Sequence, residues 1–251
     1  SNSSKGEIRY VGGCIRKILN NEKVDDIDLA SNLEPKEICE YLTKDNIKIY
    51  ESGIEHGTVT AVINNTKFEI TSLREDLETD GRHAKVKFSK DWKKDALRRD
   101  FTINSIYSDN LGNLFDPFNG KKDLKEGYVN FIGDPDKRIK EDYLRILRYL
   151  RFFSIYSQKQ HETEVIKKIK INIGGISKLS KERLLQELKK ISKIEILEKL
   201  SKDKISSEIF LIIFPEIKNL NIFSKLKSYS KEFIHELDFI FLLALMIVDG
   251  T

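Results

Sequence analysis

The sequence predicts an α+β protein in two parts, and two observations carry that prediction. Up to residue 133, short runs that alternate or are rich in β-branched residues trade places with helical segments. Past Gly133-Asp134-Pro135 no strand pattern follows, and apolar residues recur at the spacing of helix faces. The boundary is therefore placed at 133: a mixed α/β head over 1–133, then a helical remainder read as 134–192 and 193–251.

In chain order, Ile8–Gly12 reads as a strand ending in Gly12-Gly13, and Gly13–Leu19 as a short helix. Asp26–Ala30 is a second strand, and Pro35–Thr43 a helix with proline in its first turn. Ile47–Glu51, Thr58–Ile63 and Lys67–Leu73 are strands, the last two joined by Asn64-Asn65, residues that tolerate the positive φ of a tight hairpin. Arg74–Lys90 is polar and reads as a loop, and Phe101–Tyr107 and Tyr128–Ile132 complete the strands. In the second part, Leu144, Leu147, Tyr149 and Phe152 mark one helix, and Leu184, Leu185, Leu188 and Ile191 another. Phe239–Val248 is too short to span a bilayer and reads as a buried helix. Ending just after it, the chain reads as stopping before a further helical tail.

Composition excludes several classes. Hydrophobic residues at 39% allow a core, and charged residues at 33% argue against a membrane protein. Two cysteines, Cys14 and Cys39, provide neither a disulfide framework nor zinc spacing. They favour a reducing compartment, so the cytoplasm is the expected location. The chain starts Ser1-Asn2 rather than at Met, which leaves an organellar leader open. A net charge of +4 suits a polyanionic partner without demanding one.

The chemistry centres on Asp26-Ile27-Asp28. Two carboxylates two residues apart on a strand share a face. Carboxylate oxygen is what Mg²⁺ prefers, and such a pair suits two metals acting on a phosphoryl group. An isolated Asp-x-Asp is usually a solvated strand edge; the upstream Gly12-Gly13 and Arg16 change its meaning. Glycines let backbone approach a phosphate, a helix N-terminus supplies N–H donors, and an arginine adds charge. A strand, Gly-Gly, a helix and then Asp-Ile-Asp-Leu is the layout of the polymerase-β-like nucleotidyltransferases.

Further segments extend the match: Phe68-Glu69-Ile70-Thr71, Arg98-Arg99-Asp100-Phe101-Thr102-Ile103-Asn104 and Glu141-Asp142-Tyr143-Leu144-Arg145 follow in order. With Gly53–Val59, Asp80–His83 and Ile176–Leu188 they make residues 8 to 192 resemble the class II tRNA nucleotidyltransferase (CCA-adding) and bacterial poly(A) polymerase family. Lys17, Asn20-Asn21 and Ser72 depart from the family pattern without touching the metal or base contacts.

The resemblance implies a polymerase-β-like head with a mixed sheet and flanking helices, then a helical neck and body. It implies CCA addition to the tRNA 3′ end from CTP and ATP, with poly(A) or CC addition as alternatives on the same scaffold. A catalytically silent RNA-binding protein is the remote alternative. Asp26 and Asp28 would hold Mg²⁺, while Gly12, Gly13 and Arg16 cradle the triphosphate and Arg99 and Asp100 contact the nucleotide. Glu69 ranks below the aspartates as a further carboxylate. Asp142, Arg145, Arg148 and Arg151, three residues apart, form one stripe on a helix read as Glu141–Phe153. Cytosine and adenine both show an amino donor beside a bare ring nitrogen, so a carboxylate and a guanidinium can read both and reject guanine and uracil. Arg148 and Arg151 would reach the phosphates or brace Asp142. The full-length Arg74–Lys90 loop points to addition of the final A. Lysines from Lys167 to Lys190 offer a phosphate-binding surface for RNA.

Overall fold

The computed structural model describes residues 6–78, 85–225 and 238–248. The chain divides into two compact units: 1–126 with 130–133, and 127–129 with 134–251.

The first unit is built on a seven-stranded mixed sheet of order β3-β4-β5-β2-β1-β8-β9. Its strands are β1 (Ile8–Val11), β2 (Asp28–Ser31), β3 (Lys48–Gly53), β4 (Thr58–Ile63), β5 (Thr66–Ser72), β8 (Tyr107–Ser108) and β9 (Leu114–Phe115). Only β2 and β5 run parallel. Asn64 and Asn65 at the β4–β5 turn have φ of 49° and 62°, as a hairpin turn with two left-handed residues requires. One sheet face is closed by α2 (Pro35–Lys44), whose Ile38 packs with Val59, Ala61 and Ile70. Helix α2 opens with a reciprocal capping box between Glu34 and Glu37 and with proline at its start. At the other end of the sheet Val11, Ala30, Leu73, Trp92, Ala96 and Tyr107 form a second core. Helix α1 (Gly13–Leu19) leaves β1, and α3 (Trp92–Leu97) and α4 (Gly120–Glu126) complete the unit.

Several expectations change. Strand β2 starts at Asp28, so Asp26 lies in the extended approach to it. Phe101–Tyr107 is not one continuous strand: a 3₁₀ turn at Thr102–Asn104 interrupts it, and only Tyr107 enters β8. Asp100 Oδ1 accepts from the Phe101 amide (2.9 Å) and Asn104 Nδ2 (2.9 Å), and these local bonds wind Thr102–Asn104 into a 3₁₀ turn. Tyr128–Ile132 makes one isolated bridge, Phe131 to Phe101, with the two rings 4.8 Å apart. The Arg74–Lys90 stretch contains an antiparallel ribbon, β6 (Arg74–Glu78) with β7 (Lys85–Phe88). Asp80–His83 lies outside the described residues.

The second unit is helical among its described residues: α5 (Pro135–Glu141), α6 (Leu144–Tyr156), α7 (Thr163–Asn172), α8 (Lys181–Ile191), α9 (Ile194–Lys202), α10 (Lys204–Ile213) and α11 (Phe239–Ile247). Helix α6 is its axis. Ile146, Leu147 and Leu150 are fully buried, and α8, α9 and α10 pack around it. The predicted Glu141–Phe153 helix is two helices, because Asp142 is extended (φ −154°, ψ 105°) and its Oδ1 accepts from the Leu144 amide (3.1 Å). Helix α11 is not the buried helix expected: only Leu242 and Met246 are buried, while Ile240 and Phe241 are exposed. No helix among the described residues is long and apolar enough to cross a membrane.

Candidate active site

In the head, Gly12 joins β1 to α1 with φ +71°, a conformation that favours glycine. Its amide is spent on the Ile106 carbonyl (3.1 Å), which anchors the turn to the sheet and removes that donor from any phosphate. A side chain at Gly12 would come within 3.3 Å of Arg99 Nη1, and Gly13 looks onto the Arg16 guanidinium. The turn thus lies between two arginines drawn from residues far apart in sequence.

Each arginine is held from behind. Arg16 Nη1 donates to Asn104 Oδ1, and Asn104 in turn donates to Asp100, making a buried chain of three side chains. Arg99 donates from Nε to the Tyr107 hydroxyl (3.0 Å) and from Nη2 to Asp95 Oδ2 (3.2 Å). Tyr107 also donates to Asp95 Oδ2 (2.7 Å), and Arg98 Nη2 pairs with Oδ1 (2.7 Å). Asp95 is 1% exposed. Burial works to raise its pKa, but Arg99 and Arg98 outweigh that and hold it at about 2. Asp95 and Asn104 are the positioning residues that sequence reading missed. Asp95 carried a findable signal, lying three and four residues before Arg98 and Arg99 on a helical turn.

Asp28 opens β2 beside Glu69 of β5, its register partner. Its carboxyl sits above the usual range: desolvation raises it most, Asp26 and Glu69 add repulsion, and Arg99 and Arg16 partly offset these. Asp26, Asp28, Glu69, Arg99 and Arg16 are therefore one electrostatic group. Among the described residues neither Asp26 nor Asp28 makes a side-chain ion pair. Asp100 is in the same neighbourhood but buried, with Oδ1 turned onto Phe101 and Asn104.

In the helical unit the predicted base-reading residues sit around the α5–α6 break. Asp142 Oδ2 accepts from Arg183 Nη2 (2.8 Å) on α8, and Arg145 Nη1 donates to Glu141 Oε2 (2.7 Å) and the Arg138 carbonyl (2.6 Å). The Asp142 carbonyl receives the Arg145 amide (3.0 Å), which fixes their separation. Tyr143 lies against Gly175, where an added methyl would overlap its ring. Arg151 Nε donates to buried Glu187 (2.6 Å), and its guanidinium covers Phe152. Arg148 also approaches Phe152, 5.4 Å from its ring centre. Arg183 is the missed residue here.

Comparison with known proteins now decides the family. Residues 8–130 match the poly A polymerase head domain. CCA tRNA nucleotidyltransferase 1, mitochondrial, of Homo sapiens is 47% identical over 188 residues, 74% of this chain and 43% of that protein. The chain belongs to the tRNA nucleotidyltransferase and poly(A) polymerase family. A second relative, the CCA-adding enzyme of Staphylococcus haemolyticus, is 39% identical over 189 residues, 74% of this chain and 46% of that protein. This family member thus spans less than half the length of these two relatives. Among solved structures, a tRNA nucleotidyltransferase complexed with a primer tRNA and an incoming ATP analog matches with TM-score 0.72 and 27% identity. That match covers 96% of this chain and 72% of the other. The family's polymerase-β-like head and helical continuation are the two units described above.

Nucleotidyltransferases of this family use divalent metals. No group of three His, Cys, Asp or Glu side chains among the described residues is close enough to hold an ion. Two carboxylates fit Mg²⁺ nonetheless, because it takes one or two from protein and fills its shell with water and phosphate. The Asp28 carboxyl is raised chiefly by desolvation, and Asp26 and Glu69 add a repulsion that a bound cation would relieve.

Proposed function

We propose that this chain carries the catalytic part of an enzyme that adds CCA to the 3′ end of tRNA from CTP and ATP, releasing pyrophosphate. One observation supports it most: exposed Asp26, Asp28 and Glu69 share an electrostatic neighbourhood with Arg16 and Arg99, the two arginines that flank the Gly12-Gly13 turn. The acids attract metal and the arginines attract a triphosphate, so one site can hold both.

Asp26 and Asp28 would hold Mg²⁺, which supplies activation of the RNA 3′-hydroxyl and neutralisation of the leaving phosphate. Arg16 and Arg99 orient the triphosphate through Gly12-Gly13, so catalysis is mainly positioning and charge neutralisation. Asp100, with one oxygen committed to the turn, is assigned to the ribose 2′-hydroxyl, a group that both donates and accepts. Asp142 accepts from the base amino group and Arg145 donates to the neighbouring ring nitrogen. Arg148 and Arg151 shape the helix face beside them and contribute positive charge. Residues 134–192 are assigned to base selection and RNA binding, and 193–251 to the start of a helical body.

The family match to a poly A polymerase head supports a second reading, A-tract addition on the same scaffold. An incorporation assay separates them, using Mg²⁺, tRNA lacking CCA, and CTP and ATP singly and together. Two C and one A followed by arrest is the expected product. A long A tract without CTP establishes the polymerase, and arrest after two C establishes a CC-adding enzyme.

A further inference from the structure

The face of the head sheet opposite α2 is open beside the carboxylates, and register lines its residues into rows. Asp28 pairs with Glu69, Glu69 with Thr60, and Thr60 with Tyr50, so one row crosses β2, β5, β4 and β3. The adjacent row is Lys67, Val62 and Lys48. Side chains alternate faces along a strand, so both rows look away from the Val59, Ala61 and Ile70 core. Asp28, Glu69, Tyr50, Lys48 and Lys67 are exposed, and Thr60 and Val62 half-buried. The Lys48 ammonium sits 5.1 Å from the Tyr50 ring centre, and its hydrogen bond to the hydroxyl and its charge lower the tyrosine pKa, with a smaller contribution from Lys67.

Edge lysines alone are an ordinary guard against strand pairing. They do not account for an exposed tyrosine with an ammonium beside its ring, in a row that ends on Asp28. Surfaces that bind single-stranded nucleic acid combine cationic groups along the backbone with aromatic rings on which bases stack. Three strand spacings of about 4.8 Å set Tyr50 on the order of 14 Å from Asp28, the reach of a few nucleotides.

We propose that the Tyr50–Thr60–Glu69–Asp28 row, flanked by Lys48 and Lys67, is the track along which the single-stranded 3′ end of the RNA approaches the carboxylates. Tyr50 stacks on a base upstream of the terminal nucleotide, the two lysines contact its phosphates, and the terminal hydroxyl arrives at Asp28. The track rests on the nucleotidyltransferase reading for its RNA substrate, and its test is separable from that reading.

The test is binding of a fluorescent tRNA transcript lacking CCA, followed by anisotropy, with CTP binding and incorporation measured in parallel. Tyr50→Ala is expected to weaken RNA binding about tenfold, with Tyr50→Phe within about twofold of the parent, because stacking needs the ring and not the hydroxyl. The Lys48→Gln/Lys67→Gln double variant is expected to flatten the log–log salt dependence by about 1.4, two phosphates' worth for a single strand. Tyr41→Ala, an exposed tyrosine on α2 across the sheet, controls for loss of surface aromatic area and should leave RNA affinity unchanged. Parent-like RNA affinity in both Tyr50→Ala and the double variant, equal weakening by Tyr41→Ala, or no RNA affinity in the parent would each overturn the track. If the parent binds RNA through Tyr50 yet incorporates neither CTP nor ATP, the nucleotidyltransferase reading falls and the track stands.

Discussion

Asp28 in the head is assigned to Mg²⁺ and Asp142 in the helical unit to the base, and the protein treats them in opposite ways. Asp28 stands among other acids, with its carboxyl pushed up by burial and by Asp26 and Glu69. Asp142 is capped by the Leu144 amide and bridged by Arg183. The first is an electrostatic deficit that a cation removes. The second is an oriented acceptor whose charge is already balanced, which suits reading a hydrogen-bond pattern better than holding metal. The head's arginines follow the second pattern, with Asp95 behind Arg99 and Asn104 behind Arg16. In both units side-chain pairing braces the arginines, whereas Asp26, Asp28 and Glu69 repel one another.

If that contrast is right, removing Asp28 and removing its frame must fail differently. Asp28→Ala should cut incorporation by about a thousandfold or more, since the metal's several kcal/mol of charge stabilisation are lost. Its urea midpoint should be unchanged or slightly higher, because repulsion with Asp26 and Glu69 is relieved. A large drop in that midpoint would remove the claim of an acid held at electrostatic cost.

Asp95→Ala should show the reverse. It removes the buried carboxylate that half-buried Arg98 and Arg99 share and should cost about 3–5 kcal/mol in urea unfolding, with nucleotide binding falling alongside. A loss under about 1 kcal/mol would show that the arginines find other partners.

Asp95 also sets an acid limb. Its folded pKa of about 2 lies below the ordinary 3.8, so its stabilisation is fully present above about pH 4. It is lost as pH falls from there through 2, an amount of about 2 kcal/mol. Unfolding followed against pH should show this limb in the parent and lose it in Asp95→Asn.

The smallest effect sharpens the helical side of the comparison. Arg145→Ala should erode discrimination of CTP and ATP against UTP and GTP, whereas Arg183→Ala should raise KM for CTP and ATP about tenfold by freeing Asp142 to turn. Fidelity ratios and KM values from single-nucleotide incorporation check both. Unchanged discrimination in Arg145→Ala would end its assignment to the base.

Local features of the chain were legible from the sequence because their causes lie within a few residues. The Gly12 turn, the Asn64-Asn65 hairpin and the Pro35 helix start each depend on backbone conformation, which residue type determines directly. Helical spacing also separated the head from the second part. The misreadings came where side chains competed with the backbone. Asp100 and Asn104 wind a turn where β-type residues suggested a strand, and Asp142 ends a helix that the arginine stripe suggested was continuous. Only the tertiary structure joined Arg183 to Asp142, Glu187 to Arg151, Asn104 to Arg16, and Tyr50 to the row of Asp28. Such pairings depend on which distant segments meet. A charge's effect depends on the burial and neighbours it acquires there, and these exist only once the chain has packed.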